Sequence, residues 1–428
     1  MTEIRNQHSP QRLLHLARRL RDDRSGASAM VVGLVLIALV GLAGLATEGS
    51  SWYVTKRTMQ GAADAGAFSA VLAGTNYSKQ AKAVTAIDGF VDQSNSTIVT
   101  VNQPPASGNY TSITNAVEVI IQQPQTRLFS NLYLVANPVV SARAVAVPGS
   151  GDDCVLALNN SVSGAISGGG TTNVNLVKCG LADNSRSSSA FTVSGGASIT
   201  ADSASIVGGL STSNGGSLTT VSTPVPVTGA SPVADPYANV AIPAYAGCDY
   251  NNWSPLHGNK SVDAGGGIKV VCGGIKLNAG STLSLSNGTF ILDGGSLDVA
   301  GGATLNLSNA TLILTSSTGS SFGTVTINGG ATVNATAPTT GALSGIAFYV
   351  DRNAPSATEN FNGGSSQTIT GAVYAPTAVV NYTGGVTTGA GCTQIVADQV
   401  AFSGNSSVES NCTGKGTRKI ASKAQLVE

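Results

Sequence analysis

Short apolar strands recur between Gly265 and Ala337, and this repeat limits the possible folds more than any other feature of the chain. Most strands start seven or eight residues after the previous one, and steps such as Gly-Gly, Asn-Gly and Ser-Asn separate them. These steps supply the positive φ that sharp corners need. Three steps add up to about 22 residues, which suits one turn of a three-sided β-solenoid. The alternative is a β-sandwich or jelly roll with short strands.

The register of the repeat predicts which side chains stack. Ile268, Phe290 and Leu312 are expected to lie above one another, as are Ile275 and Leu297. We assign residues 149–428 to a Gly-rich, β-solenoid-like part, in which residues 222–245 form a Pro-rich extended connector. The predicted strands of the repeat are 268–270, 275–277, 283–285, 290–292, 297–299, 305–307, 312–314, 325–327 and 333–335.

An uncharged segment covers residues 25–47, and it is long and apolar enough to cross a bilayer as one transmembrane helix. Because arginine is in excess before it, the positive-inside rule predicts that residues 1–24 are a cytoplasmic basic tail and that the rest is exported. A cleaved signal peptide is the alternative, but the segment exceeds the usual signal core of about 7–15 residues. Gly26 suits a prepilin cleavage site, whereas Val31 stands where such a site needs Glu.

Residues 48–74 are predicted to extend the helix beyond the membrane. Trp52 and Tyr53 suit the membrane–water boundary. Small residues follow at helical spacing, and such a stripe lets another helix approach closely. The stripe packs either on a partner helix or on the chain's own domain. Its residues are Met59, Ala62, Ala63, Gly66, Ala67 and Ala70.

Residues 75–148 are predicted to form a small α/β unit. Residues 98–101, 116–121 and 139–147 have the β-branched composition of strands, and residues 126–135 suit a short helix. A long N-terminal helix that leads into a small sheet is also the layout of pilin-like subunits. The whole chain is therefore predicted to be mainly β, with one N-terminal transmembrane helix, a small α/β pilin-like unit and a β-solenoid ectodomain.

A sequence motif joins the apolar segment to the helix that follows it. It consists of Arg24-Ser-Gly, the apolar run, Glu48, and then Arg57-x-Met-Gln-x-Ala-Ala-Asp-Ala. This pattern resembles the N-terminal segment of TadG-like proteins of the tight-adherence (Tad, Flp) pilus assembly system, which more usually carry Asp at the position of Glu48. The resemblance implies contacts with pilins, other pilus-assembly proteins and the inner membrane through this helix. The candidate contact residues are Trp52, Tyr53, Arg57, Gln60 and Asp64.

The resemblance continues in the exported part of the chain. Residues 154–158, 163–167, 179–181 and 184–185 are similar to the start of a TadG-like secreted region. Residues 345–352, 369–376 and 402–406, with Cys392 and Cys412, are similar to its later part. Some relatives also carry a von Willebrand A-type domain with an Asp-x-Ser-x-Ser metal site. Here Asp152-Asp153 is followed by Cys, so the resemblance does not imply metal-dependent adhesion.

The six cysteines all lie in the exported part, where disulfides form. None belongs to a CxxC pair, which argues against a zinc site. Their spacing favours three local bridges among 15 conceivable connectivities. The favoured pairs are Cys154–Cys179, Cys248–Cys272 and Cys392–Cys412.

Composition and motifs argue against nucleic-acid binding and against catalysis. The chain has 22 basic and 22 acidic residues, so no basic surface suits a phosphate backbone. No nucleotide or phosphate motif accompanies the glycines, and no cofactor is expected. His257, the one exported histidine, is predicted to be a loop residue. A polysaccharide-cleaving β-helix would need paired carboxylates, or a basic residue beside acids, on one face. The candidates for this role are Asp293, Asp298, Asp351, Arg352 and Asp398.

The sequence therefore predicts a non-catalytic structural or assembly component of a Tad-type pilus, such as a minor pilin or tip protein. It is expected in the bacterial inner membrane, with the N-terminus in the cytoplasm and the rest in the periplasm or on the fibre. The alternative is a surface adhesin or polysaccharide-binding solenoid, since Ser, Thr and Asn are abundant on its predicted strands. A carbohydrate-active enzyme is the third hypothesis, and the 5% aromatic content speaks against it.

Overall fold

The computed structural model of the protein describes residues 25–132, 134–149, 153–223, 225–364, 367–384, 391–409, 411–420 and 424–428. The predicted cytoplasmic tail, residues 1–24, lies outside these ranges. The chain divides into two compact units. The first contains the described residues up to Ser69 together with those of 78–101 and 119–144. The second contains Ala70–Tyr77, Asn102–Glu118 and Val145–Glu428.

A long helix, α1 (Ser25–Ala73), begins the described chain. It runs through the predicted span and its extension without a break, because the segment contains no proline and is rich in good helix formers such as Ala and Leu. A 3-10 turn (Gly74–Asn76) and a second helix, α2 (Tyr77–Ile87), follow. Large apolar side chains are exposed on α1 from Met30 to Leu45. By length and composition, α1 is the one candidate membrane span in the described part of the chain.

Three strands follow the helices and lie side by side in the order β1 (Ile98–Asn102), β2 (Val117–Pro124) and β3 (Val139–Val147). They agree with the predicted strands of the α/β unit. The helix predicted over residues 126–135 is wrong, since its described residues form a loop with one 3-10 turn at Ser130–Leu132. Three consecutive N–H groups of this loop donate hydrogen bonds to the carboxylate of Glu48. Because these bonds replace those of a helix, they hold the backbone in a non-helical conformation.

The rest of the chain is a β-solenoid of about ten turns, which confirms the predicted fold class. Its first strands are β4 (Asp153–Ala157), β5 (Ile166–Gly168), β6 (Asn173–Val177), β7 (Gly180–Asp183), β8 (Phe191–Val193), β9 (Ser198–Ala201), β10 (Ala204–Ile206), β11 (Leu210–Thr212), β12 (Ser217–Thr220) and β13 (Val227–Thr228). The later strands are β14 (Tyr250–Leu256), β15 (Asn259–Asp263), β16 (Ile268–Leu277), β17 (Thr282–Asp293), β18 (Leu297–Val299), β19 (Thr304–Thr315), β20 (Val325–Ile327), β21 (Thr332–Thr336), β22 (Ile346–Val350), β23 (Thr358–Gly364), β24 (Gln367–Gly384) and β25 (Thr393–Glu409).

Successive turns pair in parallel, and apolar residues stack inside. Phe290 lies beside Leu312, and Ile275 beside Leu297, as the repeat predicts. The predicted stacking of Ile268 under Phe290 is wrong, because this turn is one residue shorter and Ile268 pairs with Thr289. Since neighbouring residues of a strand point to opposite faces, the shift places Ile268 outside the inner core.

Asparagines form one corner of the solenoid. Asn287 and Asn309 both have φ near +50°, a conformation that Asn tolerates better than most residues. The side-chain amide of Asn309 donates to Asn287 (3.3 Å), and that of Asn287 donates to Asp263 (2.9 Å). Each of β17 and β19 passes through this corner without a break. Each therefore joins two predicted strands, 283–285 with 290–292 in β17 and 305–307 with 312–314 in β19.

The order of the turns in space differs from their order in the chain. Strand β25, near the C-terminus, pairs in parallel with β4, β5 and β6. The turns that begin with β4 therefore stack on the last turn of the later strands, so β4 lies inside the stack. The chain winds away from there to β13, and the later strands begin again at the opposite end with β14. A final strand, β26 (Gln425–Leu426), pairs antiparallel with β3 and so departs from the solenoid assigned to residues 149–428.

The segment between β13 and β14, residues 229–249, makes this return and is here called the strap. It runs along the outside of the stack. The backbone N–H of Val233 donates to Asn184, the Tyr237 hydroxyl donates to Gln394, and Val240 accepts from the Tyr349 hydroxyl. Most of the predicted Pro-rich connector thus covers a sheet face. The outward apolar residues beneath and around it are Leu156, Ala182, Val270, Ile291, Ile313, Ile346, Tyr349, Ala372, Tyr374 and Val396.

Candidate functional site

Glu48 fastens α1 to the loop between β2 and β3. Its carboxylate accepts hydrogen bonds from the N–H groups of Leu128 (3.0 Å), Phe129 (3.1 Å) and Ser130 (2.8 Å), and from the Ser130 hydroxyl (2.7 Å). One turn earlier, the Phe129 ring lies directly on Gly44, where an added Cβ would come within 2.5 Å of a ring atom. An acidic residue next to the span and a glycine within it therefore hold one loop.

The small-residue stripe of α1 is buried inside the protein. Met59, Ala62, Ala63 and Ala67 have almost no exposed surface. Gly66 faces α2, where a Cβ would lie 3.0 Å from the methyl group of Thr85. The stripe thus packs on the chain's own domain, which was one of the two predicted interpretations, and it is not available to a partner helix.

The five predicted contact residues of α1 fall into two groups. Gln60 donates to Asp64 (2.8 Å) and to the Arg143 carbonyl (2.8 Å), so this pair serves internal packing. Trp52 is half-buried, whereas Tyr53 and Arg57 are exposed. Tyr53 and Arg57 are one turn apart and share a face with Val54 and Gly61, both also exposed. This free face is defined by Tyr53, Val54, Arg57 and Gly61.

Replacing Glu48 by alanine is expected to release the loop between β2 and β3. Three backbone N–H groups and the Ser130 hydroxyl lose their acceptor, and unpaired groups favour a loop open to solvent. Limited trypsin digestion of the full chain in detergent, read by mass spectrometry, should show faster cleavage after Arg127. Glu48→Gln retains one acceptor oxygen and should give an intermediate rate. Equal rates in all three proteins would contradict the anchoring role of Glu48.

The three predicted disulfides are confirmed. Cys154–Cys179, Cys248–Cys272 and Cys392–Cys412 have Cα–Cα distances of 5.6, 5.7 and 4.8 Å. The first joins β4 to the turn that carries β7, and the second joins the strap to β16. The third joins the two ends of β25.

The acids that were candidates for catalysis are engaged in local hydrogen bonds. Asp293 accepts from the backbone N–H and hydroxyl of Ser317 (2.6 and 2.7 Å). Asp351 accepts from the N–H of Asn353 (2.9 Å), and Asp398 from the amide of Asn159 (3.0 Å). Arg352 donates to the Tyr374 hydroxyl (2.9 Å) and to two carbonyls of the strap, whereas Asp298 lies on β18.

No cluster that could hold a metal is found among the described residues. No three His, Cys, Asp or Glu side chains in them are suitably grouped. His257 is exposed, with the Asn278 amide 3.3 Å from its ring nitrogens, as suits a loop histidine.

Asp183 and Glu359 are buried carboxyls with raised pKa values that the sequence did not indicate. Burial raises the pKa of Asp183 to about 6, although it accepts hydrogen bonds from the N–H groups of Ser185 and Ile166. Burial raises the pKa of Glu359 to about 7, and this side chain accepts from the Val325 N–H inside the solenoid. No local pattern marks either residue as buried, since both stand among ordinary strand residues.

Two clefts flank the strap. One, of about 600 Å³, is lined by Tyr245, Tyr349, Asp351 and Arg352 among others. The other, of about 570 Å³, lies between the strap and the asparagine corner, with Ile242, Asn287, Asn309 and Leu343 in its walls. Both combine amide or charged groups with apolar surface, which suits a polar ligand that has apolar faces.

The fold and the helix junction together define a β-solenoid protein with an N-terminal helix that can span a membrane. Residues 26–81 match the family model described as putative Flp pilus-assembly TadE/G-like. The chain thus carries an N-terminal domain of the TadE/G-like Tad family, in agreement with the predicted resemblance. The matched residues include almost all of α1 and the first part of α2. No curated protein and no solved structure matches the chain.

Proposed function

We propose that the protein is a non-catalytic structural component of a Tad-type pilus, acting as a minor pilin or tip protein. The observation that carries this proposal is the position of the family match. Residues 26–81 cover almost all of α1 and the first part of α2, and none of the solenoid. The part of the chain that matches the family is therefore the anchor, and the solenoid is the part that the anchor holds at the membrane.

The free face of α1 is the proposed contact with pilins or other assembly proteins. It presents an aromatic ring at Tyr53, a charge at Arg57 and a glycine at Gly61, where an added Cβ would contact no other part of the chain within 4 Å. A glycine on an exposed helix face lets another helix approach closely. The arginine excess before residue 25 supports an N-terminus in the cytoplasm and a solenoid in the periplasm or on the fibre.

Gly61→Phe is expected to reduce the number of pili while the protein remains at its normal level in the membrane. The large ring blocks the free face without touching the buried stripe. Sheared fibres and inner membranes are probed with an antibody against the solenoid, and fibres are counted by electron microscopy. Gln80→Phe places the same ring on an exposed position of α2 and is the matched control.

Deletion of the gene gives the wider test. Signal in wild-type sheared fibres, together with fibre loss on deletion, supports a minor pilin or tip protein. Signal confined to the inner membrane, with fibre loss, would replace that role by an assembly factor. Unchanged fibres after deletion would contradict a pilus function altogether.

A surface adhesin or polysaccharide-binding protein is the second candidate, and a polar ladder favours it. Asn334 donates to Asn306 (3.0 Å), and Asn306 to Ser284 (3.2 Å), along an outer face of the solenoid. Regularly spaced amides and hydroxyls suit the repeating hydroxyls of a polysaccharide. Binding of the intact protein to a panel of polysaccharides tests this role, with Asn306→Ala and Asn334→Ala as variants. Binding that both variants leave unchanged would contradict recognition through this face.

A further inference from the structure

Among the described residues of the loop that Glu48 holds, four large apolar side chains are exposed. They are Leu128, Phe129, Leu134 and Val135, and are here called the apolar patch. Val135 is 98% exposed and Leu128 is 76% exposed. A cluster of this kind on one short loop is typical of a surface that contacts a membrane or another protein.

The loop presents the patch from a fixed position. Glu48 takes the N–H groups of Leu128 and Phe129, and the N–H of Leu134 donates to the Ser130 carbonyl (2.8 Å). The Arg127 side chain donates to Asn137 (2.7 Å) and to the Leu134 carbonyl, so it joins the two ends of the loop. The loop therefore has a defined conformation, and it holds these apolar side chains in exposed positions.

The position of the patch along α1 identifies what covers it. Phe129 lies on Gly44, which is about 28 Å from the start of the helix at the usual rise per residue. The hydrocarbon core of a bilayer is about 30 Å thick. The patch thus lies where the span leaves the hydrocarbon, next to the exposed apolar surface of α1 between Met30 and Leu45.

We infer that the apolar patch inserts into the exported leaflet of the bilayer that α1 crosses, and that phospholipid acyl chains cover it. This inference rests on the proposed placement of α1 in a membrane. Arg127 lies at the base of the loop, where its charged end can reach lipid phosphates while the apolar side chains go deeper. The loop gives the first unit a second attachment to the membrane besides the helix.

Tryptophan quenching by brominated lipid tests the inference. The full chain, with both native tryptophans replaced (W52F and W253F), is reconstituted into phosphatidylcholine and phosphatidylglycerol vesicles whose acyl chains carry bromine. V135W reports on the patch and L36W on the span. I87W is the control outside the bilayer, since α2 packs near Gly66, about 33 Å beyond Gly44 along α1.

We expect V135W to lose nearly the same fraction of its emission as L36W, and I87W to lose none. Quenching of L36W without quenching of V135W would overturn the inference and leave the membrane anchor intact. A V135W emission that is unquenched but shifts to the blue as protein concentration rises would show that a second copy covers the patch. Absence of L36W quenching would overturn both the inference and the placement of α1 in a membrane.

Discussion

Tyr237→Ala is expected to lower the free energy of unfolding by about 3–5 kcal/mol, the usual cost of removing a large aromatic side chain from a core. Tyr237 lies at the centre of the strap and has no exposed surface. Its hydroxyl donates to Gln394 (2.6 Å) and accepts from the Arg418 N–H (3.2 Å). Its ring lies 5.4 Å from that of Tyr374. One substitution therefore removes contacts to β24, β25 and the C-terminal segment.

Urea unfolding of the full chain in detergent, followed by far-ultraviolet circular dichroism, measures this effect. Tyr237→Phe retains the ring and loses the hydroxyl, so it should cost about 1–3 kcal/mol for the buried partners left unpaired. Val221→Ala changes an exposed side chain just before the strap and is the control, with little expected effect. A Tyr237→Ala protein as stable as this control would show that the strap is not part of the folded core.

Glu359→Gln is expected to make the protein more stable at high pH and to leave its stability nearly unchanged at low pH. Glu359 is 1% exposed, and one of its carboxylate oxygens has no hydrogen-bond partner among the described residues. Burial raises its pKa from the ordinary value of 4.5 to about 7. The folded protein thus binds a proton that the unfolded chain releases, so stability falls as the pH rises from about 4.5 to about 7.

Above pH 7 the carboxylate costs the folded state about 3 kcal/mol, at about 1.4 kcal/mol per pKa unit. Glutamine has nearly the same shape and does not ionise, so the variant should escape this cost. Unfolding free energies measured between pH 5 and pH 8 for both proteins test the prediction. Asp298→Asn removes a carboxylate from β18 without emptying a buried site and controls for the loss of one charge. Parallel pH profiles for the wild type and Glu359→Gln would contradict a buried, ionising Glu359.

The disulfides and most strands could be predicted because their signals are local. Alternation of apolar and polar residues identifies strands such as 283–285 and 305–307, and the spacing of the cysteines indicated short-range pairs. The helix expected at 126–135 could not be excluded in this way, because its competitor is the carboxylate of Glu48, about 80 residues earlier in the chain. The position of Ile268 failed for a related reason, since a turn shorter by one residue changes the face without changing the pattern.

The sequence by itself determined the apolar helix, the period of the solenoid and the class of residue that fills its interior. The helix follows from the uncharged apolar run over residues 25–47, and the solenoid from short apolar strands that recur every seven or eight residues. Such patterns report whether a position is apolar but not which residues it packs against. Only the tertiary structure decided that β25 stacks on β4, that residues 229–249 cover the outer sheet face, and that Gly66 of the small-residue stripe packs on α2. Every turn of a solenoid offers the next one the same row of backbone donors and acceptors, so local sequence does not specify the order of turns. That order depends on long-range contacts, such as those that join Tyr237 to Gln394 and Arg352 to the carbonyls of the strap.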